Sequence, residues 1–134
     1  GILTAGAAVT LQLGSTFAVE INGTTAGTGY DRLEMAGFGL TLQDPFLDVS
    51  LGFSPGFGDS FAIVTGLAGF DPDANGIFNG LADGAEFTVG PTTFAIDYGE
   101  SDITLTVVPE PSALGLLGLL AAPLLLRRRP GRPS

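Results

Sequence analysis

The feature that most constrains the fold is a pair of short segments that recurs along the chain. Val9-Thr10-Leu11-Gln12 is similar to Leu40-Thr41-Leu42-Gln43, and Phe17–Ile21 is similar to Leu47–Leu51. The two offsets are 31 and 30 residues, so the pair recurs with one residue less between its members. Such a recurrence is typical of a stacked β-solenoid or of an array of hairpins, and the sequence leaves both open.

Apolar and polar residues alternate at period two over most of the chain before Pro109. This alternation is typical of half-buried strands, and Gly, Asn, Asp and Pro bound most of the runs, as they do at turns. The residues predicted to face the core are Val9, Leu11, Leu13, Phe17, Val19, Ile21, Leu33, Met35, Leu40, Leu42, Leu47, Val49, Leu51, Phe61, Ile63, Phe87, Val89, Phe94, Ile96, Tyr98, Ile103, Leu105 and Val107. No segment before Pro109 has a sustained helical period. We therefore predict an all-β body over residues 1–107, either a β-solenoid-like end-cap or a stack of hairpins.

The composition excludes several classes of function. Arg32 is the only basic residue before Pro109, while all but one of the 14 acidic residues lie there. An acidic body repels nucleic acid and anionic lipid, so we predict no nucleic-acid partner. The chain has neither cysteine nor histidine, which removes disulfides, zinc–thiolate sites, nucleophilic thiols and the usual general base. We predict a non-enzymatic protein without a cofactor.

The C-terminal part, residues 108–134, has a different character. An uncharged apolar segment from Ala113 to Leu126 follows Val107-Val108-Pro109-Glu110-Pro111-Ser112, and Arg127, Arg128 and Arg129 come directly after it. The prolines disfavour helix and ladder pairing, so the folded body should end before the apolar segment begins. The segment is shorter than the ~20 residues that comfortably span a bilayer, but snorkelling arginines and local thinning can accommodate a short span. We predict one short transmembrane helix, with the arginines on the cytoplasmic side and the body exported.

This tail resembles the PEP-CTERM sorting signal of exported bacterial proteins. The resemblance implies that a membrane-embedded, cysteine-protease-like exosortase recognises Pro109, Glu110 and Pro111. It also implies that residues 113–126 are a transient inner-membrane anchor and that the arginine cluster is the membrane stop. The mature protein would then reach the cell surface or the extracellular space.

The body carries a second resemblance, in spacing and glycine placement. Its blocks are Gly23–Glu34, Leu51–Ile63, Gly76–Leu81, Gly84–Phe87 and Tyr98–Leu105. They resemble the region near the C-terminal end of autotransporter-like passenger proteins, where a right-handed β-helix closes. The resemblance implies a scaffold and names no ligand.

The chain begins at Gly1 without a basic n-region or a signal-peptide apolar region. Since a tail of this kind requires an export signal, we expect the sequence to be the C-terminal piece of a longer precursor. The alternative function is the C-terminal part of a β-helix protein that binds or acts on polysaccharide and whose active part lies upstream. An extracellular polysaccharide would then be a partner.

The segment Asp71-Pro72-Asp73-Ala74-Asn75-Gly76 has the first half of a calcium loop, with oxygen ligands at positions 1, 3 and 5 and glycine at 6. Position 12 is Ala82, where a bidentate glutamate is needed, and neither flank has a helical pattern. We interpret the segment as an acidic surface turn and predict no metal at Asp71, Asp73 or Asn75.

Two further groups of residues are better explained as surface features. Asp44 with Asp48, and Glu100 with Asp102, are spaced to lie on one face of a strand, and two such carboxylates are what glycoside hydrolysis requires. Acidic residues are so frequent in this body that such pairs arise by chance, so we interpret them as a solvated face. Asn22-Gly23-Thr24 matches a glycosylation sequon, but Asn-Gly is a strong turn signal and we interpret it as a turn.

Overall fold

The computed structural model describes residues 1–109, and they form a β-rich body. Its elements in chain order are β1 (Ile2–Thr4), β2 (Val9–Leu11), β3 (Thr16–Ile21), β4 (Arg32–Glu34), β5 (Leu40–Leu42), β6 (Phe46–Leu51), β7 (Ser60–Thr65), the one-turn helix α1 (Pro72–Asn75), β8 (Glu86–Val89), β9 (Thr92–Tyr98) and β10 (Ile103–Val108). The prediction of an essentially all-β body is confirmed.

The first strands pair in parallel with strands one repeat further along the chain. β1 pairs with β4, β2 with β5, β3 with β6, and β4 with β7. The register places Val9 opposite Leu40 and Phe17 opposite Leu47, so the offsets are the 31 and 30 residues of the sequence repeat. The two similar segments are therefore hydrogen-bonded neighbours. Because hairpins join antiparallel strands, these pairs are not hairpins.

The pairing direction changes at β7. This strand is parallel to β4 on one side and antiparallel to β10 on the other. β10, β9 and β8 then form an antiparallel meander, which completes a six-stranded sheet in the order β1-β4-β7-β10-β9-β8. The pairs β2–β5 and β3–β6 are separate two-stranded sheets.

The core follows the predicted alternation. Phe61 lies at its centre, fully buried, with edge-on contacts to Tyr30, Phe53 and Phe94. Val19 opposes Val49 across the β3–β6 pair, and both side chains are buried. Leu13 departs from the prediction, because β2 ends at Leu11 and the chain turns at Gly14, which leaves Leu13 75% exposed.

The segment 66–85, between β7 and β8, covers one side of the parallel strands, and we call it the covering segment. Gly76 lies so close to β5 that a Cβ atom there would clash with the Leu42 carbonyl oxygen. The Asn79 N–H donates to the carbonyl of Pro45, just before β6 (2.8 Å). Within residues 1–109, β1, β2 and β3 each pair with a single strand, so the opposite side of the stack carries three free edges.

The predicted turn at Asn22-Gly23 opens a longer loop rather than a two-residue hairpin. β3 and β4 lie in different sheets, so they do not pair as hairpin strands. The loop closes where the Asn22 N–H donates to the Gly29 carbonyl (2.7 Å) and Ile21 bridges to Tyr30.

Candidate functional site

The tail leaves the body from β10, which lies between two hydrogen-bonded neighbours. β10 pairs with β9 along its whole length, from Ile103 opposite Tyr98 to Val108 opposite Thr93. On its other side it pairs with β7, which places Leu105 opposite Phe61. Strands with ladders on both sides have few unpaired backbone groups, so β10 holds its end firmly to the body.

Val107 marks the last position that is fully part of the sheet. Its N–H donates to the Asp59 carbonyl (2.8 Å), its carbonyl accepts from the Gly58 N–H (2.9 Å), and its side chain is buried. Pro109, two positions on, is exposed. Proline has no N–H to give to a ladder, so the strand ends before it. The chain thus passes from a buried position to an exposed one within two residues.

Two turns flank the point where the chain leaves, and we call residues 54–59 and 89–93 the exit rim. In the first turn the Asp59 N–H donates to the Gly56 carbonyl (3.1 Å), and an Asp59 carboxylate oxygen accepts from the Gly56 N–H (2.9 Å). Gly58 has φ +87°, which a type II turn requires at its third position. This arrangement presents Phe57 at the tip, 77% exposed. The second turn joins β8 to β9 through Gly90 and Pro91.

Pro109 is the only predicted sorting residue within the described range. Glu110, Pro111, the apolar segment 113–126 and the predicted membrane stop at 127–129 lie outside the described residues. Within residues 1–109, no helix has the length and apolar character needed to cross a membrane. The predicted transmembrane helix therefore stays a prediction.

Tyr98 ties the covering segment to the end of β9 opposite the exit rim. Its hydroxyl donates to the Leu81 carbonyl (2.6 Å) and accepts from the Phe78 N–H (3.1 Å). Its ring stacks on Phe70 and Phe78. Burial raises the pKa of Tyr98 to about 12; the Phe78 N–H lowers it and the Asp83 carboxylate adds to the rise. The hydroxyl therefore stays protonated at neutral pH and bridges two backbone groups.

The same end of the body is acidic. Asp71, Asp83 and Glu100 line one open depression beside Tyr98. The Asp83 carboxylate accepts from the Tyr98 N–H (3.0 Å), which fixes it at the end of β9. Because the β9–β10 connection also contains Asp102, negative charge gathers at the end of β10 that is farther from Pro109.

The calcium-loop residues act as caps of α1. The Asp71 carboxylate accepts from the Asp73 N–H (3.0 Å), and the Asn75 side-chain oxygen accepts from the Asp71 N–H (3.0 Å). An aspartate at the N-cap satisfies helix N–H groups that otherwise lack partners. In the part of the chain that the structure describes, no cluster of three or more His, Cys, Asp or Glu side chains could hold a metal ion.

The two carboxylate pairs do not lie on strand faces, and Asp44, Asp48 and Glu100 are exposed, in agreement with the interpretation of a solvated surface. β6 begins at Phe46, so Asp44 lies in the preceding turn with φ +58°, where it accepts from the Asn79 side-chain amide (3.0 Å), while Asp48 lies in the strand. Glu100 and Asp102 both lie in the connection between β9 and β10. Asp44, Glu100 and Asp102 thus lie in turns or connections and not on a strand face.

The alternation pattern does not predict the roles of three side chains, Tyr98, Phe57 and Asp59. Tyr98 was predicted only as a core residue, and its hydroxyl bridge depends on the fold around it. Phe57 and Asp59 lie between strands, where period-two alternation gives no information. The available signal is the local sequence Gly56-Phe57-Gly58-Asp59, whose second glycine is typical of a type II turn.

Comparison with known families identifies the tail. The sequence profile of the PEP-CTERM protein-sorting motif matches residues 107–129. Its first two residues, Val107 and Val108, are the last two residues of β10. No curated protein and no solved structure matches the chain. The predicted sorting signal is therefore confirmed, and it indicates an exported protein that an exosortase sorts. The resemblance of the body to autotransporter-like proteins stays a prediction.

Proposed function

We propose that this chain belongs to a non-enzymatic surface or extracellular-matrix protein. Residues 113–126 anchor it transiently in the inner membrane, and the exosortase processes it next to Pro109. One observation carries the proposal: the sorting motif begins inside β10, so no linker separates the folded body from the sorting signal. Processing at this point separates the body from its tail with little excess chain.

The accessibility of the chain supports processing beyond Val108. Val107 has both backbone groups bonded within the sheet, whereas Pro109 is exposed. Two prolines around one glutamate favour an extended segment without ladder bonds, which an enzyme at the membrane can bind. Glu110 is the only charged residue between Asp102 and Arg127, so we assign it to recognition rather than to catalysis.

The parallel ladders support a scaffold role for the body. Strands that pair in parallel at offsets of 30 and 31 residues are typical of successive coils of a β-solenoid. The segment after β7 covers the edge of β5 and contacts the residue just before β6, whereas β1, β2 and β3 keep free edges on the described body. In this proposal the body closes a stack whose earlier coils pair with those free edges, so that the last coil exposes no edge to aggregation.

The polar groups best suited to bind a sugar are engaged inside the body, which supports a non-enzymatic role. The Arg32 guanidinium donates to the Ala62 carbonyl (3.0 Å) and to the Tyr30 hydroxyl (2.9 Å). The Tyr98 hydroxyl is held by backbone groups. Hydrogen bonds within the fold thus occupy part of the hydrogen-bonding capacity of Arg32 and Tyr98, which limits what these side chains can offer to a polysaccharide.

Mass spectrometry of the exported protein, from a host that carries an exosortase, tests the proposal. We expect a chain that ends near Pro109 and lacks Arg127–Arg129. Glu110→Ala should leave an uncleaved, membrane-bound precursor. Glu100→Ala is the matched control, since it removes an exposed glutamate from the β9–β10 connection and should leave processing intact. A mature protein that retains the arginines, with no effect of Glu110→Ala, would mean that the tail is a plain anchor.

A further inference from the structure

Phe57 is a large apolar side chain presented to solvent beside the point where the chain leaves the body. It occupies the tip of the Gly56–Asp59 turn and is 77% exposed. The next residue, Gly58, donates its N–H to the Val107 carbonyl (2.9 Å), which fixes the turn against the end of β10. Phe57 therefore lies on the side of the body from which the tail departs.

The short tether keeps this side of the body close to the apolar segment. Four residues, 109–112, separate Val108 from Ala113. Even a fully extended chain spans at most ~18 Å between these two α-carbons. Since the headgroup region is roughly 5–8 Å deep on each side of the hydrocarbon, an anchored segment 113–126 keeps the exit rim within about 10–13 Å of the outer surface of the headgroups.

Negative charge is concentrated at the end of β10 that is farther from the tail, as a body held close to the membrane requires. The exit rim contains one charged side chain, Asp59, whose carboxylate is bonded to the Gly56 N–H. The other end of β10, roughly 17 Å away for a six-residue strand, adjoins Asp71, Asp83 and Glu100. Carboxylates lose hydration when they approach the headgroups and the hydrocarbon, so the body is most stable with its acidic end away from the membrane.

We infer that the Phe57 ring inserts into the headgroup region of the membrane while the tail is anchored. The inference rests on the proposed function, which supplies the anchor. Aromatic rings are favoured at this depth, where an apolar body meets a partly hydrated environment. A second contact besides the tail restricts the tilt of the body, so that β10 points at the membrane. It thereby holds Pro109 and the residues after it at the membrane surface, within reach of a membrane-embedded enzyme.

Tryptophan fluorescence of the full chain tests this inference without a competing signal, because the sequence contains no tryptophan. Phe57→Trp is the probe. Leu13→Trp is the matched control, since Leu13 is 75% exposed in a turn of the same kind, where the Ser15 N–H donates to the Gln12 carbonyl (3.0 Å) and Gly14 has φ +86°. Each chain is reconstituted into phosphatidylcholine vesicles that carry a spin-label quencher at headgroup depth.

We expect the emission of the Phe57→Trp chain to shift to shorter wavelength and to be quenched by the labelled lipid. The Leu13→Trp chain should show neither change. Chains that float with the vesicles without quenching of the Phe57→Trp emission would overturn the inference and leave the anchored tail in place. Chains that do not float with the vesicles would overturn the proposed anchor and, with it, the inference. Equal quenching of both probes would also overturn the inference, because it would indicate non-specific adsorption of the body. A blue shift that needs added exosortase would overturn it in favour of a contact between Phe57 and that enzyme.

Discussion

Replacing Tyr98 with phenylalanine removes one hydroxyl that bridges two backbone groups of the covering segment. The ring keeps its stacking on Phe70 and Phe78, so the change isolates the two hydrogen bonds. Phe78 is fully buried, and its N–H loses its partner; Leu81 is half-buried, and its carbonyl recovers part of its hydrogen bonding from water. An unsatisfied buried group costs about 1–3 kcal/mol, so we expect a loss of roughly 2–3 kcal/mol in the free energy of unfolding.

Urea denaturation of a truncated chain that ends at Pro109, followed by circular dichroism, measures this loss. With a urea slope of about 1–3 kcal/mol/M, the midpoint should fall by roughly 0.7–3 M. Tyr30→Phe is the control, since that hydroxyl accepts one bond from the part-buried Arg32 guanidinium and its loss leaves no buried backbone group unsatisfied. If Tyr98→Phe is no less stable than Tyr30→Phe, the hydroxyl bridge does not hold the covering segment and the reasoning is refuted.

The stability difference between the unmodified chain and Tyr98→Phe should depend on pH. The pKa of Tyr98 is about 12 in the folded protein against 10.0 for an unperturbed tyrosine, mainly because of burial. The folded state thus holds the phenolic proton more tightly than the unfolded state. This contribution to stability is fully present below pH 10 and is lost as the pH rises through about 12. The stability difference between the unmodified chain and Tyr98→Phe should therefore shrink over this interval, and a constant difference would contradict the burial of the hydroxyl.

Two further predictions concern the covered and the free sides of the stack. Gly76→Ala should lower stability by about 2–5 kcal/mol, because its backbone has φ +96° and a Cβ atom would also clash with the Leu42 carbonyl. Gly58→Ala, at φ +87° with open space around it, should cost about 1–2 kcal/mol. Equal losses in urea denaturation would contradict the close approach of Gly76 to β5. The chain ending at Pro109 should self-associate through the free edges of β1, β2 and β3, and Leu3→Lys should weaken that association by adding a charge to an edge strand. Sedimentation velocity over a range of concentrations measures it, and a chain that stays monomeric at all of them would contradict the open edge.

The register of the β2–β5 and β3–β6 pairs could be predicted because each of these strands is similar to its partner one repeat away. Val9 and Phe17 each lie opposite the residue that the repeat offset assigns, Leu40 and Leu47. A register shift of one residue would turn a buried face outward, so the alternation and the offset together determine the pairing.

The rest of the fold depends on contacts that leave little trace in the sequence. Alternation locates β8, β9 and β10, but antiparallel neighbours need no similarity to each other, so the partners of these strands could not be predicted. β1 has three exposed residues and shows no alternation, and α1 is a single turn that Asp71 caps, too short for a helical period.

The candidate site divides in the same way. The prolines after Val108 predicted where the strand ends, because their effect on the backbone is local. The turn that presents Phe57 beside that point depends on hydrogen bonds between Val107 and residues about fifty positions earlier in the chain, and no local pattern reveals them.

The mixed pairing of β7 gives the molecule a direction of growth. Its parallel side adjoins β4, and its antiparallel side is occupied by β10, so a duplicated unit of about thirty residues has no room downstream of β7. A unit added ahead of β1 meets a free edge and adds one more layer of the same kind. Duplication or deletion of such a unit in the gene can therefore change the number of layers in this protein. The sorting tail and its distance from β10 remain unchanged.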